Sequence, residues 1–290
     1  MEIFVTGATG AVGRPLVRAL LAEGHRVLAG TRRPEAYRGP GTPVRVDLDA
    51  TGPPHPLGAA AGADAAYYLV HGLDRRDFAL ADRRRAERFA ELWGPDRPVV
   101  YLGGLGEPGV GSVHLRSRHE VGAILRRHTR AVELRASIVI GAESLSFQLL
   151  ARLAKLASLS LLPILAPHAS ATRTQPIAEA DLVSALIGAL TLPPGSYDIG
   201  GPDVVAYGEL IERSARLQGR SLRVRPVVPL SPEWLGPASA LAAGVDPWAT
   251  SALFASMGTE AVVRPGHEPP GPNRATTGLD AAITAALHAS

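Results

Sequence analysis

Val5-Thr6-Gly7-Ala8-Thr9-Gly10-Ala11-Val12-Gly13, at the start of a 290-residue chain, decides the fold. The apolar Ile3-Phe4-Val5 leads into it and an amphipathic run over 15–23 leaves it, the order of strand, glycine turn and helix. Unpaired N–H groups and the helix dipole favour negative charge where a helix begins, which suits the pyrophosphate of a dinucleotide. Gly7 and Gly10 let the backbone approach that phosphate, Gly13 lets the helix lie close on the strand, and Thr9, Ala11 and Val12 complete the cradle. The spacing is G-x-x-G-x-x-G rather than G-x-G-x-x-G. A glycine-rich turn with a purely structural role is the alternative.

Outward from the turn, 25–31 reads as a second strand ending in Thr31-Arg32-Arg33-Pro34. At this strand end an acidic residue accepts from the ribose 2′-OH of NAD, whereas arginine suits a 2′-phosphate. Arg32 and Arg33 offer two guanidiniums and no acid, so NADP(H) is expected over NAD(H). The competing reading is a pair of arginines on an exposed loop. A third strand, 44–48, ends in Asp47-Leu48. The near-continuous apolar run 63–72 reads as a strand buried on both faces, and it places Val70 and His71 at the carboxyl edge, where open α/β sheets bind ligands. His71 reads equally as a proton donor or substrate contact and as a residue satisfying loop carbonyls. A charged helix over 74–93, a fifth strand over 97–105 and a sixth over 130–140 complete a β–α alternation. That alternation predicts a Rossmann-type, doubly wound parallel sheet over 1–141.

After 141 the rhythm changes. Helices are expected over 144–158, 179–190, 207–218 and 279–288, a strand over 221–228 and an irregular surface segment over 264–278. Together they form a small mixed C-terminal substrate lobe, 142–290, interleaved with the sheet edge.

The chain resembles the short-chain dehydrogenase/reductase superfamily in its extended and atypical (NmrA-like) branches, which open with T-G-A-T-G-x-x-G. The stretch from Tyr197 to Leu210 matches the Y-x-I-G-G-P-x-x-x-[ST]-Y-x-E-L pattern of the extended branch, with Ala206 where Ser or Thr is usual. The resemblance implies that Asp47 and Leu48 border the adenine, that Ser137 and Ile138 lie beside the nicotinamide, and that Arg173 lies near the substrate mouth. It also implies a Ser and a Tyr-x-x-x-Lys set, which this chain lacks. Aligning Ser117-Arg118-His119-Glu120-Val121 puts Arg118 at the lysine position, His114 at the tyrosine position and Gly103-Gly104 in the serine region. His114 and Arg118, spaced i, i+4, share one helix face. Histidine titrates near neutrality and serves as a general acid, while arginine holds its charge. The alternative is a charged helix start with His114 beside its cap.

The reading that follows is an NADP(H)-dependent reductase of a small, largely apolar carbonyl or enone, with His114 or His71 as proton donor and Arg118 as ribose anchor. Two others stand beside it: a non-catalytic NADP(H)-binding regulatory or structural protein, and a non-redox cyclase or epimerase. With no cysteine, disulfides and thiolate metal sites are excluded, and no metal is expected. The net charge of +3 rests on arginine, with Lys155 the single lysine. Arg83-Arg84-Arg85 and Arg126-Arg127 read as solvated faces without interleaved aromatics, so nucleic acid is not an expected partner. The greasiest stretch, 147–166, is broken by Arg152, Lys155 and Pro163, too soon to span a bilayer. No leader-like segment precedes the first strand, and a cytoplasmic location is expected.

Overall fold

The computed structural model describes residues 1–50, 57–72, 77–159, 164–166, 168–226, 255–271 and 274–289. In chain order its elements are β1 (Glu2–Thr6), α1 (Gly13–Ala22), β2 (Arg26–Thr31), β3 (Thr42–Arg45), β4 (Ala65–Tyr68), α2 (Phe78–Trp93), β5 (Pro98–Gly104), α3 (Val113–His128), β6 (Arg130–Ala136) and β7 (Val139–Ile140). They continue with α4 (Leu145–Leu159), β8 (Ile164–Ala166), β9 (Arg173–Thr174), β10 (Ile177–Ala178), α5 (Glu179–Gly188), β11 (Gly195–Asp198), β12 (Val205–Ala206), α6 (Tyr207–Leu217), β13 (Val224–Pro226) and α7 (Leu279–His288).

Seven strands form one parallel sheet in the order β3-β2-β1-β4-β5-β6-β11. Its two faces follow from the alternation of side chains along each strand. Ile3 and Val5 point to one side, where Leu16 and Leu20 of α1 and Leu182 and Leu186 of α5 cover them. Phe4 points to the other, against Phe89 and Trp93 of α2, with Val121 and Leu125 of α3 alongside. Burial on both faces explains why these strands read as continuous apolar runs. The fold is the α/β Rossmann-type expected from the sequence.

Beyond 141 the chain divides its work. Residues 179–199 return to the sheet, α5 covering one face and β11 pairing with β6 in register Tyr197↔Leu134. Helices α4, α6 and α7 instead share a second, smaller core around Phe147, Leu150, Leu210, Ile211 and Ile283.

Several element bounds differ from the sequence reading. The run 63–72 forms strand only over Ala65–Tyr68, because beyond it the backbone N–H of Leu69 turns to the Thr6 hydroxyl (3.1 Å). The expected strand 130–140 breaks at Ser137, whose hydroxyl donates to the Gln175 carbonyl (2.6 Å), and resumes as β7 against β10. The helix expected over 74–93 is α2, with 73–76 outside the described residues, as are 227–228 of the strand expected over 221–228 and 160–163 of the apolar stretch 147–166. No helix among the described residues is long and apolar enough to cross a membrane.

Candidate active site

The glycine turn is a tight hinge between β1 and α1. Gly7 takes φ +69°, and a Cβ there would sit 2.8 Å from the Leu69 carbonyl oxygen. Gly13 is tighter still: its Cβ would lie 2.2 Å from the Gly7 carbonyl oxygen, so any side chain would push α1 off the strand. Gly10 donates its N–H to the Gly7 carbonyl (2.9 Å) and is itself exposed, facing the open space above the turn. Thr6 stitches the turn to the exit of β4, donating to the Tyr67 carbonyl (3.1 Å) and accepting from the Leu69 N–H. Thr6 thus ties the cradle to the segment that carries His71.

That space is a cleft of about 920 Å³ along the carboxyl edge of the sheet. Gly7, Thr9, Gly10, Ala11, Val12 and Gly13 line its middle; Arg32, Arg33, Asp47 and Leu48 line one end. At the other end it meets Val70, His71, His114, Arg118 and Ser137. A smaller, mostly apolar cavity of about 120 Å³ continues past His114 between α3 and the C-terminal lobe, with Leu115, Leu149, Leu150 and Met257 in its wall. His114 and Ser137 border both spaces.

Two of the expected site residues are not at the cleft. Ile138 lines the smaller cavity instead, because successive residues after β6 face opposite ways and Ser137 takes the cleft side. Arg173 lines neither space: β9 turns it outward, where it pairs with Glu260 at 2.6 Å. Arg83-Arg84-Arg85 is likewise not a uniformly solvated face. Arg85 is buried and lines the cleft, its Nε and Nη2 donating to the two oxygens of Asp49 (2.7 Å each).

The end of the cleft at His71 and His114 is built on three elements. His71 follows β4; its Nδ1 lies 2.8 Å from Oδ2 of Asp82, a carboxylate only 2 % exposed on α2. The other oxygen, Oδ1, accepts from the Gly72 N–H (3.3 Å) and from Arg85 Nη1 (3.1 Å). His114 lies in the first turn of α3, whose N-terminus is capped by the Ser112 hydroxyl accepting from the Leu115 N–H (3.2 Å). The imidazole rings of His71 and His114 lie 4.8 Å apart, centre to centre. Burial lowers both histidine pKa values, His114 well below the ordinary range, and the Arg118 charge adds to the effect. Both rings are neutral at neutral pH. His71 Nε2 and His114 Nδ1 are buried with no hydrogen-bond partner among the described residues. Arg118 folds back, donating to the Leu102 carbonyl, with its guanidinium 5.3 Å from the centre of the Tyr101 ring.

The glycines in the serine region have a steric cause. A Cβ on Gly103 would sit 2.5 Å from the carboxylate of Glu133, which is wholly buried beneath it. On Gly104 it would sit 2.7 Å from Leu115 Cδ1. Sequence reasoning missed Asp82, Arg85 and Asp49, because an acid and a base three apart on a charged helix look like an ordinary surface pair. It also missed Glu179, which lines the cleft with a carboxyl pKa raised by burial and by Glu143. Among the described residues no group of three or more His, Asp or Glu could hold a metal.

Residues 3–77 match the model of the NAD dependent epimerase/dehydratase family, a match spanning the glycine turn and the first four strands. No curated protein matches the chain by sequence. Solved structures do resemble it. A nucleoside-diphosphate-sugar epimerase from Staphylococcus aureus superposes with TM-score 0.69 at 14% identity, covering 98% of this chain and 100% of that one. A UDP-glucose 4-epimerase from Thermotoga maritima, solved with UDP-glucose, gives TM-score 0.63 at 11% identity, covering 99% and 98%. An NAD-dependent NDP-hexosamine 5,6-dehydratase of tunicamycin biosynthesis gives TM-score 0.63 at 16% identity, covering 99% and 96%. At such identities the likeness is one of fold, and the chain has the α/β Rossmann-type fold of these two epimerases and this dehydratase.

Proposed function

We propose that the protein is an NADP(H)-dependent oxidoreductase acting on a small, largely apolar carbonyl or enone, with a Gly/His/Arg site in place of Ser/Tyr/Lys. One observation carries the reading: a single cleft runs from a glycine turn flanked by Arg32 and Arg33 to a buried pair of histidines, and opens there into a small apolar cavity. The cradle fits a dinucleotide, since the glycines leave the backbone bare where a pyrophosphate would lie. Arg32 and Arg33 would hold a 2′-phosphate, with Asp47 and Leu48 beside the adenine. A nicotinamide dinucleotide supplies hydride transfer when bound. The chain's own part is to exclude water at the His114 end, to hold the ribose side with Arg118, and to move a proton at His71 or His114. The size and apolar wall of the second cavity support a small substrate over a nucleotide sugar.

A second reading draws on the match over 3–77: net redox-neutral chemistry, an epimerisation or elimination, in which the cofactor is not consumed. A third draws on the missing Ser-Tyr-Lys set: an NmrA-like protein that binds the cofactor without turnover. Calorimetric titration with NADPH, NADP⁺, NADH and NAD⁺, followed by cyclohexenone and acetophenone as probe substrates, separates them. The expected result is tighter binding of NADPH than NADH, weakened about tenfold or more by Arg32→Ala, and consumption of NADPH with a probe. Tight retention without consumption favours the other two readings. Absence of any dinucleotide binding overturns all three.

A further inference from the structure

His71 is held by an unbroken chain of charged groups that starts at the opposite end of the cleft. Asp49 follows Asp47 and Leu48 at the adenine end and grips Arg85 through two bonds of 2.7 Å. Arg85 donates to Asp82 Oδ1 at 3.1 Å, and Asp82 Oδ2 meets His71 Nδ1 at 2.8 Å. Asp82 thus takes a guanidinium N–H and the Gly72 N–H on one oxygen. A carboxylate so occupied is an acceptor, and it requires His71 Nδ1 to carry the hydrogen. In a neutral ring the hydrogen at Nδ1 leaves Nε2 with a bare lone pair.

That Nε2 is the buried atom with no partner among the described residues, in a ring that lines the cleft beside His114. A buried polar atom left unpaired is unfavourable, and for a bare lone pair only a group that donates relieves the loss. We infer that Asp82 is a positioning residue that fixes His71 as the Nδ1–H tautomer, so that Nε2 accepts a proton from a hydroxyl-bearing substrate. One proton moves, from the donor's O–H to Nε2; the bonding pair stays on the oxygen as an alkoxide, and Asp82 then faces an imidazolium. Carbonyl reduction by the same site needs that imidazolium first. The groups facing His71 are Asp82 and Arg85 from α2 and His114 and Arg118 from α3, and burial and the two cations outweigh Asp82 in keeping the ring neutral. The alcohol side of the reaction therefore starts from the form present at neutral pH, and reduction gains as pH falls.

The hydroxyl substrate rests on the oxidoreductase reading; the tautomer does not. Long-range ¹H–¹⁵N spectra of the full-length protein at neutral pH read the tautomer directly, and benzyl alcohol serves as the hydroxyl probe. Expected are an unprotonated His71 Nε2 in the parent, a shift of that nitrogen on adding benzyl alcohol, and both lost in Asp82→Asn, whose amide can donate to Nδ1. Where a turned-over alcohol is found, Asp82→Asn is expected to lower kcat by about 10²-fold or more and to move its pH profile. A protonated Nε2 in the parent, or no response to benzyl alcohol, overturns the inference without any variant. Nicotinamide dinucleotide titration of the same samples stays a separate test: failure to bind removes the oxidoreductase reading while the measured tautomer still decides the Asp82 role.

Discussion

Gly7 is where the cradle is most exacting, since its positive φ and the Leu69 carbonyl both exclude a side chain. Gly7→Ala is expected to cost about 1–3 kcal/mol of folding stability, read as a lowered urea midpoint, and to weaken dinucleotide binding together with it. Gly103 and Gly104 give a paired test of the serine region. Gly103→Ala drives a methyl into the carboxylate of Glu133, which is wholly buried and bound to Arg126 and Arg135, so it has no room to retreat. Gly104→Ala clashes only with the end of the Leu115 side chain, which has rotamers to give, and meets Arg118 at ordinary contact distance. The first is expected to destabilise by about 1–3 kcal/mol and the second by less. Equal losses would mean that Glu133 is not the obstacle.

Among the elements, α3 is the one on which the proposed chemistry hangs. It carries His114 and Arg118 one turn apart on the cleft side, and its first turn is held by Ser112, whose hydroxyl also bonds Ser256 (2.8 Å). Ser112→Ala removes the cap and is expected to cost about 1 kcal/mol. Because His114 lies two residues past the cap, local hydrogen exchange at the start of α3 should rise more than exchange in β5 or β6. Unchanged exchange there would show that packing of Leu115, not the cap, holds the helix start. Helix α2 contributes differently. Its outward charges read correctly from the sequence, but Asp82 and Arg85 face inward, and a charge pattern alone carries no signal of which side of a helix is covered.

Across the described residues, three histidines have a pKa lowered chiefly by burial: His71, His114 and His119. The unfolded chain takes up protons at these residues near the ordinary value of about 6.5, and the folded protein does so only at lower pH. Stability is therefore full above that unfolded value and falls as pH drops below it, by up to about 1.4 kcal/mol per pH unit for each histidine. Urea unfolding at about pH 7.5 and about pH 5.5 should show lower stability at the acid end, and His114→Gln should flatten the difference. A protein equally stable at both would mean that the buried rings are hydrated in solution.

The architecture was legible in the sequence: apolar strands alternating with amphipathic helices permit little but a doubly wound parallel sheet, and three glycines at 7, 10 and 13 mark the tight turn between β1 and α1. It also placed His71 at the carboxyl edge and His114 and Arg118 on one helix face, since a strand end and an i, i+4 spacing are local properties; that this face meets the cleft was implied only by the family resemblance. The tertiary structure alone decided that β11, from the second half of the chain, completes the sheet beside β6. It alone turned Arg173 outward to Glu260 and brought Asp49, Arg85, Asp82 and His71 into one line. Those outcomes depend on which surfaces meet when different elements pack together, and local periodicity holds no record of that.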